Sequence, residues 1–170
     1  MIVLMAGLPG TGKSTLARAL ATQCHGVVLD KDELRSVLFP PAHLEYSAEQ
    51  DDFCQSLMLE SAAYLLARHP NLQVFIDGRT FARSYQIQNA LAAAGRMSTP
   101  WRIIECVCPE ETARRRLEAS RATHPAKNRT YELYRKIQAE FEPIASPKLV
   151  VDTSAPLDDC IAAATAYLTL

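Results

Sequence analysis

Gly7, Leu8, Pro9, Gly10, Thr11, Gly12, Lys13 and Ser14 satisfy the pattern G-x-x-x-x-G-K-[ST] at every fixed position. Such a loop wraps with its backbone N–H groups pointing inward, because glycine reaches conformations closed to other residues. The lysine can then reach the terminal phosphates of a nucleoside triphosphate, and the Ser14 hydroxyl can ligate Mg2+. Thr15 offers a second hydroxyl to the same phosphates, although a helix-capping role would explain it as simply. No Asn-Lys-x-Asp guanine signature occurs in the chain, so ATP with Mg2+ is the expected ligand pair.

Acids and arginines gather after the next two apolar runs. Asp32 and Arg35 stand three apart, so on a helix they share one face, at the carboxyl end of a strand. The plain alternative is that Asp32 is a helix N-cap. Val74, Phe75 and Ile76 lead into Asp77, the form of an apolar strand that ends in a Mg2+-linked carboxylate. Arg79 and Arg83 follow on a loop at the same sheet edge, suited to an anionic group on an acceptor. An arginine at a helix start opposes the helix dipole, so Arg83 needs a partner.

These residues must be positioned by strands and helices that alternate along the chain. Apolar runs at 2–6, 27–29, 72–76, 101–107 and 149–151 read as buried strands. Helical spacing falls at 14–22, 33–38, 83–94, 131–141 and 156–168, with Gly95 as the stop for the third of these. Ser47 and Gln50 form a capping-box signal for a long helix that carries Phe53, Leu57, Leu59, Ala62 and Leu66 toward His69. Pro109, Glu110 and Glu111 open another, with their acids at the favourable end of its dipole. The polar stretch 119–129 has no clear period and reads as a loop. Alternation of this kind predicts an α/β unit spanning 1–170, a parallel sheet with helices on both faces.

The cradle at 7–14, Asp32 with Arg35, Asp77, and the arginine-rich helix that follows resemble the P-loop kinase group that includes polynucleotide kinases, zeta toxins, chloramphenicol phosphotransferase and gluconate kinase. The likeness covers nearly the whole chain. It implies a P-loop NTPase fold with a five-stranded parallel sheet and a short lid at about 115–130. By that resemblance Asp32 accepts the proton of an attacking hydroxyl and Arg35 holds the acceptor, with Asp30 left open as an alternative base. Lys13, Arg116 and Arg121 are the further catalytic candidates, and Arg114 is assigned to the nucleotide. Lid arginines in the group are often four apart, whereas Arg116 and Arg121 are five apart, which makes Arg129 a further candidate. Asp152, Thr153 and Ser154 line the adenine pocket by the same analogy. The implied activity is transfer of the γ-phosphate of ATP to a hydroxyl of a small-molecule acceptor. The alternatives are a polynucleotide 5′-hydroxyl kinase and a nucleotide-binding regulatory ATPase.

Composition narrows the partners. Eighteen Lys plus Arg against nineteen Asp plus Glu leave a net charge of −1, so no global basic field attracts nucleic acid. No apolar run approaches the roughly 18 residues that span a bilayer, and the start lacks the positive region of a signal peptide. The expected location is the cytoplasm, and no membrane partner is expected. Five cysteines without a Cys-x-x-Cys pair argue against a disulfide framework or a zinc site. Cys106 and Cys108 are expected to be buried together on one strand face. Nothing in the sequence fixes the oligomeric state.

Overall fold

The apolar runs become strands in a computed structural model that describes residues 1–120, 126 and 128–170. Among the described residues the strands are β1 (Ile2–Ala6), β2 (Val27–Asp30), β3 (Val74–Asp77), β4 (Trp101–Val107) and β5 (Leu149–Asp152). All neighbours are parallel, in the order β2-β3-β1-β4-β5. The chain leaves β1 toward one edge and later crosses to the other side, so the strand order reverses beside the end of β1. Open α/β sheets bind ligands at the carboxyl ends of strands flanking such a reversal.

The helices are α1 (Lys13–Cys24), α2 (Lys31–Leu38), α3 (Ala48–Arg68), α4 (Ser84–Arg96), α5 (Glu110–Ser120), α6 (Tyr131–Glu140) and α7 (Leu157–Leu168). Every residue of β1 is fully buried, which is why its sequence is apolar without alternation. Strand geometry still sorts its side chains by face. Ile2, Leu4 and Ala6 meet Met58 and Ala62 of α3 and Ala90 and Ala94 of α4, whereas Val3 and Met5 meet Leu16 and Leu20 of α1 and Ala164 of α7. Each buried Leu or Ile contributes roughly 1.5–3 kcal/mol relative to exposure, so the two cores hold β1 rigidly under whatever its carboxyl end carries. A third cluster of Ala113, Leu117 and Tyr134 joins α5 to α6. Within the lid expected over about 115–130, Arg121 and His124 lie outside the described residues.

Several local expectations are corrected. Cys106 is buried on the α1 and α7 side, but β4 has ended before Cys108, which is only partly buried and packs beside the α5–α6 cluster. Phe53 does not join the core; it stays half exposed and meets Phe39 edge-on at 6.1 Å between ring centroids. The Ser47 hydroxyl accepts from the Gln50 amide at 3.1 Å, but the Gln50 side chain turns to Glu45 and His43 instead of completing a reciprocal box. Arg83 finds its reason in a distant segment. The Glu142 carboxylate accepts from both the backbone N–H and the hydroxyl of Ser84 at 2.7 Å, capping α4 from across the chain. Arg83 pairs with Glu140 at 2.7 Å and Glu142 at 3.5 Å, so these acids offset its poor place on the dipole. No helix among the described residues is long and apolar enough to cross a membrane.

Gly95 does not end its helix. α4 continues through Arg96, Met97 is the C-cap, and Ser98 takes the left-handed conformation at φ 49°. A Cβ at Gly95 would meet nothing within 4 Å. Gly95→Ala is therefore expected to stabilise the fold by about 0.5–1 kcal/mol, read as a higher thermal midpoint. A midpoint that stays the same or falls contradicts this account of the helix end.

Candidate functional site

The loop between β1 and α1 is held by conformations that only glycine adopts readily. Gly7, Gly10 and Gly12 have φ of 127°, 81° and 82°. A Cβ on Gly7 would collide with the Cys106 carbonyl oxygen, so the loop lies against the end of β4. Gly12 is the N-cap of α1 and brings no capping side chain, and the first turn carries no acid. The first amides of the helix therefore have no side-chain partner, which is how a helix start receives a phosphate. Lys13 is buried and its Nζ donates to the carbonyls of Gly7 at 2.7 Å and Leu8 at 2.8 Å. Burial pulls its pKa down to about 8, against the opposing charge of Asp77. Thr11 Oγ1 donates to the Leu8 carbonyl at 2.7 Å, and the Leu8 side chain packs on the α5–α6 cluster. Pro9 and Ser14 line the main cavity, and Thr15 lines a second one.

Parallel register sets Asp30 of β2 directly beside Asp77 of β3. Asp77 is fully buried, and among the described residues neither of its carboxylate oxygens has a hydrogen-bond partner. Asp30 is lifted to about 6, first by burial and then by the charges of Asp77 and Asp32. A buried carboxylate left as Asp77 is calls for a cation. The orphaned Asp77 oxygens and the Ser14 hydroxyl are hard oxygen donors of the kind suited to Mg2+, which binds through few protein groups and takes its other ligands from phosphate and water. Among the described residues no three His, Cys, Asp or Glu side chains form a metal cage of their own.

Asp30 and Asp32 have different jobs. Asp30 is the N-cap of α2, accepting from the amides of Asp32 at 2.8 Å and Glu33 at 3.3 Å. That frees the Asp32 side chain, which stands inside the first turn and faces a cavity of about 390 Å3 shared with Lys13 and Ser14. Arg35 NH1 donates to Asp32 at 3.1 Å and Lys31 Nζ lies 3.4 Å from it. Arg35 is buried, also pairs with Asp51 of α3, and lies over the Tyr46 ring at 5.1 Å. Arg79 is equally buried, donating to Gln55 at 2.9 Å and pairing with Asp52 at 2.6 Å. Arg83 lines the outer part of the cavity. Sequence reasoning missed Lys31. It is buried, pairs with Asp51 at 2.9 Å, and has its pKa pulled down to about 8 by burial. The signal was a lysine between two acids at a strand end, and solvent exposure is the ordinary reading of a lysine there.

The arginines of α5 diverge. Arg116 donates to the Oγ1 of Thr153 at 2.9 Å and to its carbonyl at 2.7 Å, and Thr153 Oγ1 donates to the Thr11 carbonyl at 2.8 Å. Arg116 thereby faces a second cavity of about 440 Å3, beside Gly12, Thr15 and Leu157, instead of the cavity that holds Asp32. Arg114 points to α6, pairing with Glu118 at 3.0 Å and stacking over Tyr131 at 5.1 Å. Arg129 lines both cavities. Burial lowers its pKa, while the charges of Asp32, Asp77 and Asp30 oppose that shift.

Comparison with known proteins agrees with this arrangement. A family model described as an AAA domain matches residues 2–144. No curated protein matches the sequence. A candidate kinase from Chloroflexus aurantiacus superposes with a TM-score of 0.76 at 20% identity, over 99% of this chain and 97% of that one. Kti12 from Chaetomium thermophilum, solved in complex with ADP-AlF3, gives 0.75 at 16% identity over 99% and 98%. A gluconokinase from Sinorhizobium meliloti gives 0.72 at 16% identity over 99% and 90%. Identities this low speak for the fold. With the glycine cradle, the strand order and the family match in agreement, the chain belongs to the AAA_33 family, a P-loop kinase-like group of AAA domains.

Proposed function

We propose that this protein is an ATP-dependent kinase that transfers the γ-phosphoryl group to a hydroxyl of a small acceptor, acting in the cytoplasm. The observation that carries this reading is the Asp32 carboxylate, held by Arg35 and Lys31 in the same cavity as Lys13 and Ser14. A site that only bound nucleotide would have no use for a carboxylate pinned beside its phosphate cradle.

The acceptor oxygen attacks the γ-phosphorus, the bond to the β–γ bridging oxygen breaks, and its electron pair leaves on ADP. The hydroxyl proton passes to Asp32. Phosphoryl transfer gains most from alignment and charge neutralisation, so Asp32 orients the hydroxyl as much as it deprotonates it. Lys13 and the first amides of α1 hold the β and γ phosphates. Arg129, which lines both cavities, supplies positive charge over the transferred group, a role for which the sequence offers Arg116, Arg121 and Arg129. Arg116 and Thr153 serve the nucleoside side. Arg35, Arg79 and Arg83 serve the acceptor side. Ser14 and Asp77 would hold Mg2+, which would supply positive charge against the phosphates.

A second reading, an ATPase that works without an acceptor, draws on the likeness to Kti12. ADP formation that never depends on an added hydroxyl compound would favour it. A polynucleotide acceptor would instead show as oligonucleotide labelling that weakens with salt.

Asp32→Asn is expected to lower acceptor-dependent ADP formation about 10²-fold or more while leaving nucleotide affinity near wild type, measured by coupled assay and by titration with a fluorescent ATP analogue. An unchanged rate, with no hydroxyl compound stimulating turnover, sinks the kinase reading. Lys13 binds phosphate as an ammonium, and its pKa in the free protein is pulled down to about 8. Nucleotide affinity should therefore be full below that value and fall as pH rises through it, by up to about tenfold per unit. Lys13→Met should bind weakly at every pH and lose this dependence, and a flat wild-type profile would contradict the assignment.

A further inference from the structure

Within the acceptor cavity the positive groups are deeper than the negative ones that pair with them. The side chains of Lys31 and Arg35 are 9% and 3% exposed, whereas Asp51 is 25% exposed and reaches them from the first turn of α3. Its two carboxylate oxygens are held separately. Oδ2 takes Lys31 Nζ at 2.9 Å and Oδ1 takes an Arg35 terminal nitrogen. The Arg35 Nε is buried with no hydrogen-bond partner among the described residues. This is the coordination a bound carboxylate or phosphate group would receive, made by one cation of each kind.

We propose that Lys31 and Arg35 form an anion subsite for the acceptor, occupied by the chain's own Asp51 carboxylate while the acceptor is absent, so that the acceptor is a hydroxylated molecule bearing a carboxylate or a phosphate. The proposal rests on the kinase reading for the hydroxyl and adds the charge of the molecule that carries it. A ligand anion takes the place of Asp51, which swings toward solvent and remains at the favourable end of the α3 dipole, so its release costs little. Burying two cations against the single carboxylate of Asp32 would leave one charge uncompensated, and Asp51 offsets that cost until the acceptor arrives. Lys31 and Arg35 also touch Asp32, at 3.4 and 3.1 Å. The anion and the phosphorylated hydroxyl therefore sit on the same two cations, only a few bonds apart, which favours a short hydroxy acid or phosphate monoester over a long or neutral polyol.

The test begins with binding, so that it does not depend on turnover. The phosphate loop is first saturated with Mg2+ and a non-hydrolysable ATP analogue. Acetate and inorganic phosphate are then titrated calorimetrically into wild type, Asp51→Asn and the double variant Asp51→Asn with Lys31→Met. Asp51→Asn should bind one of the two anions about tenfold more tightly than wild type, the worth of one charge-assisted hydrogen bond, and the added Lys31→Met should abolish the gain. A gain for acetate assigns a carboxylate and a gain for phosphate assigns a phosphate ester. Equal affinities in wild type and Asp51→Asn, or a gain that survives Lys31→Met, overturn the subsite. In parallel, ADP formation is followed with glycerol, glycerate and glycerol phosphate as matched acceptors. Anion binding at the subsite without any acceptor-dependent turnover counts against the kinase reading alone. Glycerol used as well as its charged counterparts counts against the subsite alone.

Discussion

Charges buried at the carboxyl edge of the sheet are the constraint on which the rest of the molecule depends. Among the described residues Asp77 is sealed with both oxygens unpaired, Asp30 lies beside it in register, and Lys13 is buried a short way off with the Gly7 and Leu8 carbonyls as acceptors. Each buried charge costs several kcal/mol when its counter-ion is missing. The cost is visible in the groups themselves, since burial pulls Lys13 down to about 8 and lifts Asp30 to about 6. Only a rigid support can keep such groups apart from water and from each other. The two apolar layers around β1 supply it, and the expected ligands, a polyphosphate and a divalent cation, complement both signs at once.

The helices that surround this edge are tied to it by polar groups from far along the chain. Thr153 links the end of β5 to the Thr11 carbonyl and receives Arg116, so α5 and the phosphate loop are joined through it. On the other side, Glu142 caps α4 and pairs with Arg83, anchoring the end of α6. Tyr131 and Arg135 meet Glu110, so α5 and α6 are braced at their facing ends as well. Arg129 lies between these anchors and lines both cavities, where a small movement of the segment would change its distance to Asp32 and Asp77.

The fold is shared with proteins whose names span a gluconokinase and Kti12, so it carries no acceptor preference of its own. Whatever distinguishes this chain lies in the faces of α2 and α3 that meet over the main cavity. There the pairs Lys31 with Asp51, Arg35 with Asp51, and Arg79 with Asp52 all join the strand-end segments to one helix. Substituting residues on that face of α3 alters these pairs without touching the cradle.

The sequence by itself determined what depends on neighbours in the chain. A glycine-rich loop between an apolar strand and a helix needs only its own backbone conformations, and Gly7 to Ser14 was legible for that reason. The alternation of strand and helix was legible because a strand buried on both faces must be apolar throughout, as 2–6 is. The pairing of Asp32 with Arg35 followed from helical spacing. Tertiary structure decided the rest. Two acids two residues apart both suit an N-cap, and only the angle at which β2 enters α2 gave the cap to Asp30 and the cavity to Asp32. Arg114 and Arg116 are alike in the sequence, and the face of α5 that packs on α6 separated them. Asp51, Glu142 and Thr153 were invisible as partners because their contacts join segments far apart in the chain. Local propensity carries no information about such contacts, which exist only once the sheet has brought the helix ends together.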